Sequence, residues 1–103
     1  MHRLLVLYPT PVDPAAFREH YVARHLPLAD RLPGMLASRY SLDVHDEVGG
    51  YFAVFEADFA DAGAMQAAMA SPEGQAVAAD VPRYATGGAI VLADTVGFVR
   101  DLP

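Results

Sequence analysis

The chain is predicted to be one α+β domain with the element order β-α-β-β-α-β, on three observations. Four segments carry strand patterning. Two helical stretches, each marked by a capped proline, at Asp13-Pro14 and at Ser71-Pro72, separate the first strand from the second and the third from the fourth. The 103 residues leave room for one domain and one core, with little to spare.

Arg3-Leu4-Leu5-Val6-Leu7-Tyr8 reads as a first strand, apolar on both faces. Pro9, Pro11 and Pro14 punctuate its exit. Asp13 before Pro14 starts a helix, since the carboxylate caps free N–H groups and proline suits the first helical position. That helix is expected to run from Pro14 to about Arg31, with a kink or short break at Pro27, which has no N–H to donate. Leu32-Pro33-Gly34 turns the chain.

Leu36 to His45 alternates. Leu36, Ser38, Tyr40, Leu42 and Val44 share one face, and Ala37, Arg39, Ser41 and Asp43 the other. Asp46 to Gly50 makes a turn, and Tyr51 to Phe55 a third strand, the hairpin partner of the second. Asp61 caps a second helix, Ala62 to Ala70. Ser71-Pro72-Glu73 restarts a helical stretch in the same capped manner. After Gly87-Gly88, Ala89 to Val96 is a fourth strand, again apolar on both faces.

This order is the ferredoxin-like arrangement, two helices on one face of a four-stranded antiparallel sheet. Helices cover only one face, yet three strands are apolar on both. A wet second face would exceed the few hundred Å² of apolar patch usual for monomers. A homodimer is therefore expected, its two sheets closing into a shared α+β barrel with two-fold symmetry. The competing arrangement is a monomer whose tail, Phe98 to Pro103, folds over the open face.

Composition narrows function. The chain is 53% hydrophobic and its formal charge is −6, which argues against nucleic acid, bound mainly by Lys and Arg at phosphates. No apolar run approaches the roughly 20 residues of a membrane span, and no signal peptide is read at the start. A cytoplasmic protein without a membrane partner is expected. There is no cysteine, so disulfides, thiolate metal sites and a cysteine nucleophile are excluded. Neither glycine pair opens a phosphate-binding helix and no dinucleotide fingerprint is present, so no cofactor is expected.

The densest polar cluster is Phe17-Arg18-Glu19-His20-Tyr21-Val22-Ala23-Arg24-His25-Leu26-Pro27-Leu28. On a regular helix Phe17, Tyr21, Arg24 and Leu28 form a stripe, flanked by His20 and His25 about 140° apart. Zinc-binding pairs on one helix sit four apart on one face. These sit five apart, so no metal site is expected. Acid–base work remains, because histidine titrates nearest neutrality. His25 beside Pro27 is placed either to reach a cavity between helix and sheet or to bond a freed carbonyl. His20 is its candidate helper or a packing residue. Tyr21, Tyr40 and Tyr8 are candidate donors to a ligand oxygen, with Phe17 and Leu28 completing the expected ligand wall. Arg24 and Arg39 are read as surface ion pairs, Met65 and Met69 as core filler, His2 and His45 as surface, and Asp80 as a cap or a partner of Arg83.

The run Phe17-x-x-His20-Tyr21-x-x-x-His25-x-Pro27-Leu28, then Leu32-Pro33-Gly34, resembles the signature of the EthD family. So does Ser71-Pro72-Glu73-Gly74-Gln75, followed by Ala79-Asp80 and Tyr84. The resemblance covers nearly the whole chain and implies the dimeric α+β barrel superfamily. Relatives there include muconolactone-type isomerases, polyketide cyclases, small monooxygenases and haem-binding enzymes, with ligand pockets between helices and sheet. It points to His25, His20, Tyr21 and Tyr40. Family members are often labelled reductases, but this sequence shows no site for a reducing cofactor.

Three readings stay open. The first is a cofactor-free isomerase, cyclase or dehydratase-like enzyme of catabolism or secondary metabolism. It would act on a small apolar carbonyl or lactone compound, with His25 and His20 as catalytic residues. The second is a non-catalytic binding or accessory protein for a hydrophobic metabolite or an oxygenase. The third is a haem-binding or monooxygenase-like barrel.

Overall fold

Leu4, Val6 and Tyr8 alternate along the first strand, β1 (His2–Pro9), and are buried against helices, while Leu5 and Leu7 face the other way and are only partly covered. The structure, a computed structural model, describes residues 1–97. The strands β2 (Ala37–Ser41), β3 (Tyr51–Phe59) and β4 (Ile90–Thr95) join β1 in one antiparallel sheet of order β2-β3-β1-β4. With the helices, this is the ferredoxin-like α+β fold.

Two strands differ in length from expectation. β2 stops at Ser41, whose hydroxyl accepts the Asp43 N–H and turns the chain out of the sheet. β3 runs on to Phe59 because Ala57 and Phe59 continue the buried alternation. The intervening Glu56 and Asp58 are poor strand formers, but Arg39 from β2 bonds both, at 2.6 and 3.2 Å. Arg39 is thus the surface ion-pairing residue expected.

The helical layer opens with α1 (Pro14–His20), capped by Asp13, whose side chain accepts the Ala16 N–H. Pro27 produces no break. The chain widens into a π-helical turn, Tyr21–His25, and continues without interruption as α2 (Leu26–Ala29), whose second residue is Pro27. The N–H of Leu26 reaches back five residues to the Tyr21 carbonyl. In the second half come α3 (Ala62–Ala70), capped by Asp61, and α4 (Pro72–Tyr84), capped by Ser71. Gly74 lets α4 start flush against the carbonyls of Ala68 and Met69, where a Cβ would collide.

Among the described residues the opposite face of the sheet carries no helix. Leu5 pairs with Leu92 and Leu7 with Ile90 across β1 and β4. Leu92 is 50% exposed, and Val91 beside it, on the helical side, is 62% exposed. The alternative cover, Phe98 to Pro103, lies outside the described residues. No helix among the described residues is long and apolar enough to cross a membrane.

Candidate functional site

The π turn decides which side chains face inward. An α-helix leaves i+4 neighbours about 40° out of line. A π turn holds more residues and takes up that drift. The buried line therefore runs Phe17, Tyr21, His25, Ala29, not through Arg24 and Leu28 as a regular helix would place it. Arg24 sits instead in a surface dip beside His20, and Leu28 borders another with Arg31 and Glu73.

The same turn brings His20 and His25 together, against the separation of a regular helix. Both bond one carboxylate, Asp80 of α4. His25 Nδ1 lies 2.9 Å from Asp80 Oδ2, and His20 Nε2 lies 2.9 and 3.0 Å from Oδ1 and Oδ2. Asp80 is 3% exposed. Burial acts to raise its carboxyl, but the hydrogen bonds and charges of His25 and His20 outweigh it and hold Asp80 below the usual carboxylate value. His25 is lowered from its ordinary value by burial, against the raising effect of Asp80. An ionised Asp80 facing Nδ1 fixes the neutral ring with its proton on Nδ1 and its lone pair on Nε2.

His25 lines a cavity of about 310 Å³ between the helical layer and the sheet. Its floor is Leu4, Val6 and Tyr8 of β1 with Phe55 and Val91, and its roof includes Ala29, Val77 and Val81. Met69, expected as core filler, reaches the wall, whereas Met65 packs against the core. Among the described residues, His25 and Tyr8 are the lining residues whose side chains carry N–H or O–H groups. The Tyr8 hydroxyl is 2.7 Å from that of Tyr84. Burial raises both phenols, so they stay protonated at neutral pH.

Of the other expected ligand contacts, Tyr21 and Phe17 stand behind Tyr8, with ring centroids 5.7 and 5.3 Å from it. Both are 1% exposed, and the Tyr21 hydroxyl finds no partner among the described residues. Tyr40 lies at the β2 edge, half exposed, its ring 5.8 Å from Tyr21. None of these three, nor Leu28, lines the cavity. His2 and His45 are engaged at the surface by Thr95 and Asp43.

Asp80 and Tyr84 carry part of the family resemblance, but the sequence reading assigned neither to the site, taking Asp80 as a cap or a partner of Arg83. The expected Arg83 partner of Asp80 is present, but at 3.8 Å it is secondary to the two histidines. A signal existed. Gly74, Val77, Asp80 and Tyr84 form the buried face of α4, so an acid falls on an otherwise apolar stripe.

An EthD domain match spans residues 9–88. The chain belongs to the EthD family. A relative from Rhodococcus erythropolis is 38% identical over 96 residues, covering 89% of this chain and 91% of its own; it is an uncharacterised 11.0 kDa protein from the thcB–thcC intergenic region. An EthD family crystal structure from Bacillus halodurans superposes with a TM-score of 0.86 at 28% identity, over 94% of this chain and 99% of the other. The hydroxynitrile lyase of Passiflora edulis shares the fold, with a TM-score of 0.76 at 16% identity over 97% and 96% of the two chains. The histidine–aspartate cluster and the Tyr8–Tyr84 pair lie within the matched EthD domain except for Tyr8, one residue ahead of it.

Proposed function

We propose that this EthD protein is a cofactor-free acid–base enzyme for a small, mostly apolar carbonyl or lactone compound. The observation that carries the proposal is His25, bonded through Nδ1 to buried Asp80 at 2.9 Å while its ring lines the 310 Å³ apolar cavity. Nε2 is the base that takes a proton beside the ligand carbonyl. Asp80 orients the ring and stabilises the imidazolium as it forms, the role a carboxylate plays behind a catalytic histidine. Only one hydroxyl of the Tyr8–Tyr84 pair need donate to the other, which leaves a phenol proton for the developing enolate. His20 serves through Asp80, and Tyr21 and Phe17 support Tyr8. That a hydroxynitrile lyase shares the fold supports acid–base chemistry on this scaffold.

The functional unit proposed is a homodimer. The helix-free sheet face joins Leu5, Leu7, Ile90 and Leu92 in one apolar area, and an identical face turned by two-fold symmetry covers it.

Exchange of α-hydrogens tests the chemistry directly and does not require the natural substrate. Cyclohexanone and small lactones are incubated with the protein in D₂O, and deuterium uptake is followed by NMR. A general base gives uptake above buffer that falls about 10²- to 10⁴-fold in His25→Gln. Equal uptake in the two proteins removes His25 from the role. Saturable binding with no uptake by either protein assigns the cavity to a carrier or accessory function, which its largely apolar wall also suits.

A further inference from the structure

Asp80 serves two imidazoles with one negative charge. His20 Nε2 spans both oxygens at 2.9 and 3.0 Å, and His25 Nδ1 shares Oδ2 at 2.9 Å. The two rings differ in access to water. The His20 side chain is 22% exposed, that of His25 5% and that of Asp80 3%. Two imidazolium ions cannot both be balanced by one carboxylate, and desolvation weighs more heavily on the ring at the cavity.

We propose that His20 is a positioning residue that competes with His25 for the charge of Asp80, so that a proton on solvent-side His20 keeps cavity-side His25 neutral. The surrounding charges fit. From α4, Arg83 Nη1 lies 3.8 Å from Asp80 Oδ1 and favours the ionised carboxylate. Tyr84 stacks on His20 at 5.4 Å and sits 4.7 Å from His25. On the helix itself Glu19 and Arg24 share the surface dip with His20, and Tyr21 stacks on His25 at 5.4 Å. From the sheet, Tyr8 faces the same cavity as His25. No carboxylate other than Asp80 bonds either ring among the described residues. The consequence for catalysis rests on the reading of His25 as the base: His20 keeps that base free as the medium turns mildly acidic.

The experiment is an NMR titration of the histidine Cε1–H signals in the full chain, with no substrate present. Glutamine at position 20 places an amide donor near the Nε2 position but never charges. In His20→Gln the His25 midpoint is expected to rise by about one pH unit. In an Asp80→Asn background, where the shared charge is gone, the same substitution is expected to move it by less than half as much. A His25 midpoint that stays put or falls in a folded His20→Gln variant overturns the proposal. Should that variant lose its amide dispersion, the wild type decides: a His25 curve with no inflection at the His20 midpoint overturns it, and a coupled, two-step curve supports it. Because no turnover is measured, failure of the α-hydrogen exchange test leaves this result standing, and the reverse holds too.

Discussion

His25 and Asp80, 55 residues apart in the chain, meet through a 2.9 Å hydrogen bond from Nδ1 to Oδ2. The bond joins the π turn to the middle of α4 and buries a charged group, which His20 and, more distantly, Arg83 also face. It contributes to stability and orients the ring that lines the cavity, so one contact couples fold to function.

That coupling sets a pH dependence. The folded-state values of both His25 and Asp80 are depressed. A depressed group contributes stability above its unfolded value and loses it as pH falls through the folded one. His25 therefore begins to destabilise the fold below its ordinary value of 6.5, and Asp80 adds to this below about 4. Melting temperatures measured from pH 7.5 down to 4.5 are expected to fall, and the upper part of that decline is expected to flatten in His25→Gln. A profile level between pH 7 and 5 in the wild type would contradict the burial of neutral His25.

The aromatic cluster distinguishes a satisfied phenol from an unsatisfied one. Tyr8 and Tyr84 share a hydrogen bond of 2.7 Å, whereas the buried Tyr21 hydroxyl has no partner among the described residues. Tyr84→Phe leaves Tyr8 unpaired and is expected to cost about 1–3 kcal/mol in urea unfolding. Tyr21→Phe removes a dehydrated hydroxyl and is expected to be neutral or stabilising, by up to about 1 kcal/mol. A loss at Tyr21 equal to that at Tyr84 would show that the Tyr21 hydroxyl is satisfied.

The order of elements, both capped helix starts in the second half and the one-sided sheet were legible because they depend on local signals: Asp61 and Ser71 as caps, Pro72 at a first turn, alternation in β1. The position of His25 at a cavity between helix and sheet was legible because of Pro27 beside it. The histidine pair as a unit was not. A 100° wheel separates positions 20 and 25, and Pro27 announces a disturbance without saying whether it is a break or a π turn. Tertiary packing chose the π turn, which keeps Tyr21, His25 and Ala29 all buried. Tyr40 and Leu28 were misplaced relative to the cavity for related reasons: one lies at a sheet edge, and the other was rotated outward by the same turn.

The cavity itself is testable by filling it. Ala29 is 3% exposed and lines the wall one helical turn beyond His25. Ala29→Leu extends a branched side chain into the space, where it replaces void by contact. Unfolding free energy is expected to rise or hold within about 1 kcal/mol. Binding of an apolar probe such as cyclohexanone, followed by NMR shift perturbation at Tyr8 and His25, is expected to weaken at least about tenfold, a change of about 1.4 kcal/mol. Unchanged probe binding in a folded variant would place the ligand elsewhere.

The helix-free sheet face gives the sharpest test of the dimer. Leu92 lies on β4, is half exposed in the single chain, and pairs laterally with Leu5 rather than packing beneath a helix. Within one chain, glutamate there meets mostly water, so the fold is expected to persist with a change within about 0.5 kcal/mol. In a two-fold dimer each substitution buries a carboxylate within the apolar area of Leu5, Leu7 and Ile90, and symmetry introduces it twice. Leu92→Glu is therefore expected to convert a dimer into a folded monomer, read by light scattering coupled to size exclusion at micromolar concentration. If Leu92→Glu stays dimeric, or the wild type is monomeric, the sheets do not meet across this face and Leu5, Leu7 and Ile90 need another cover.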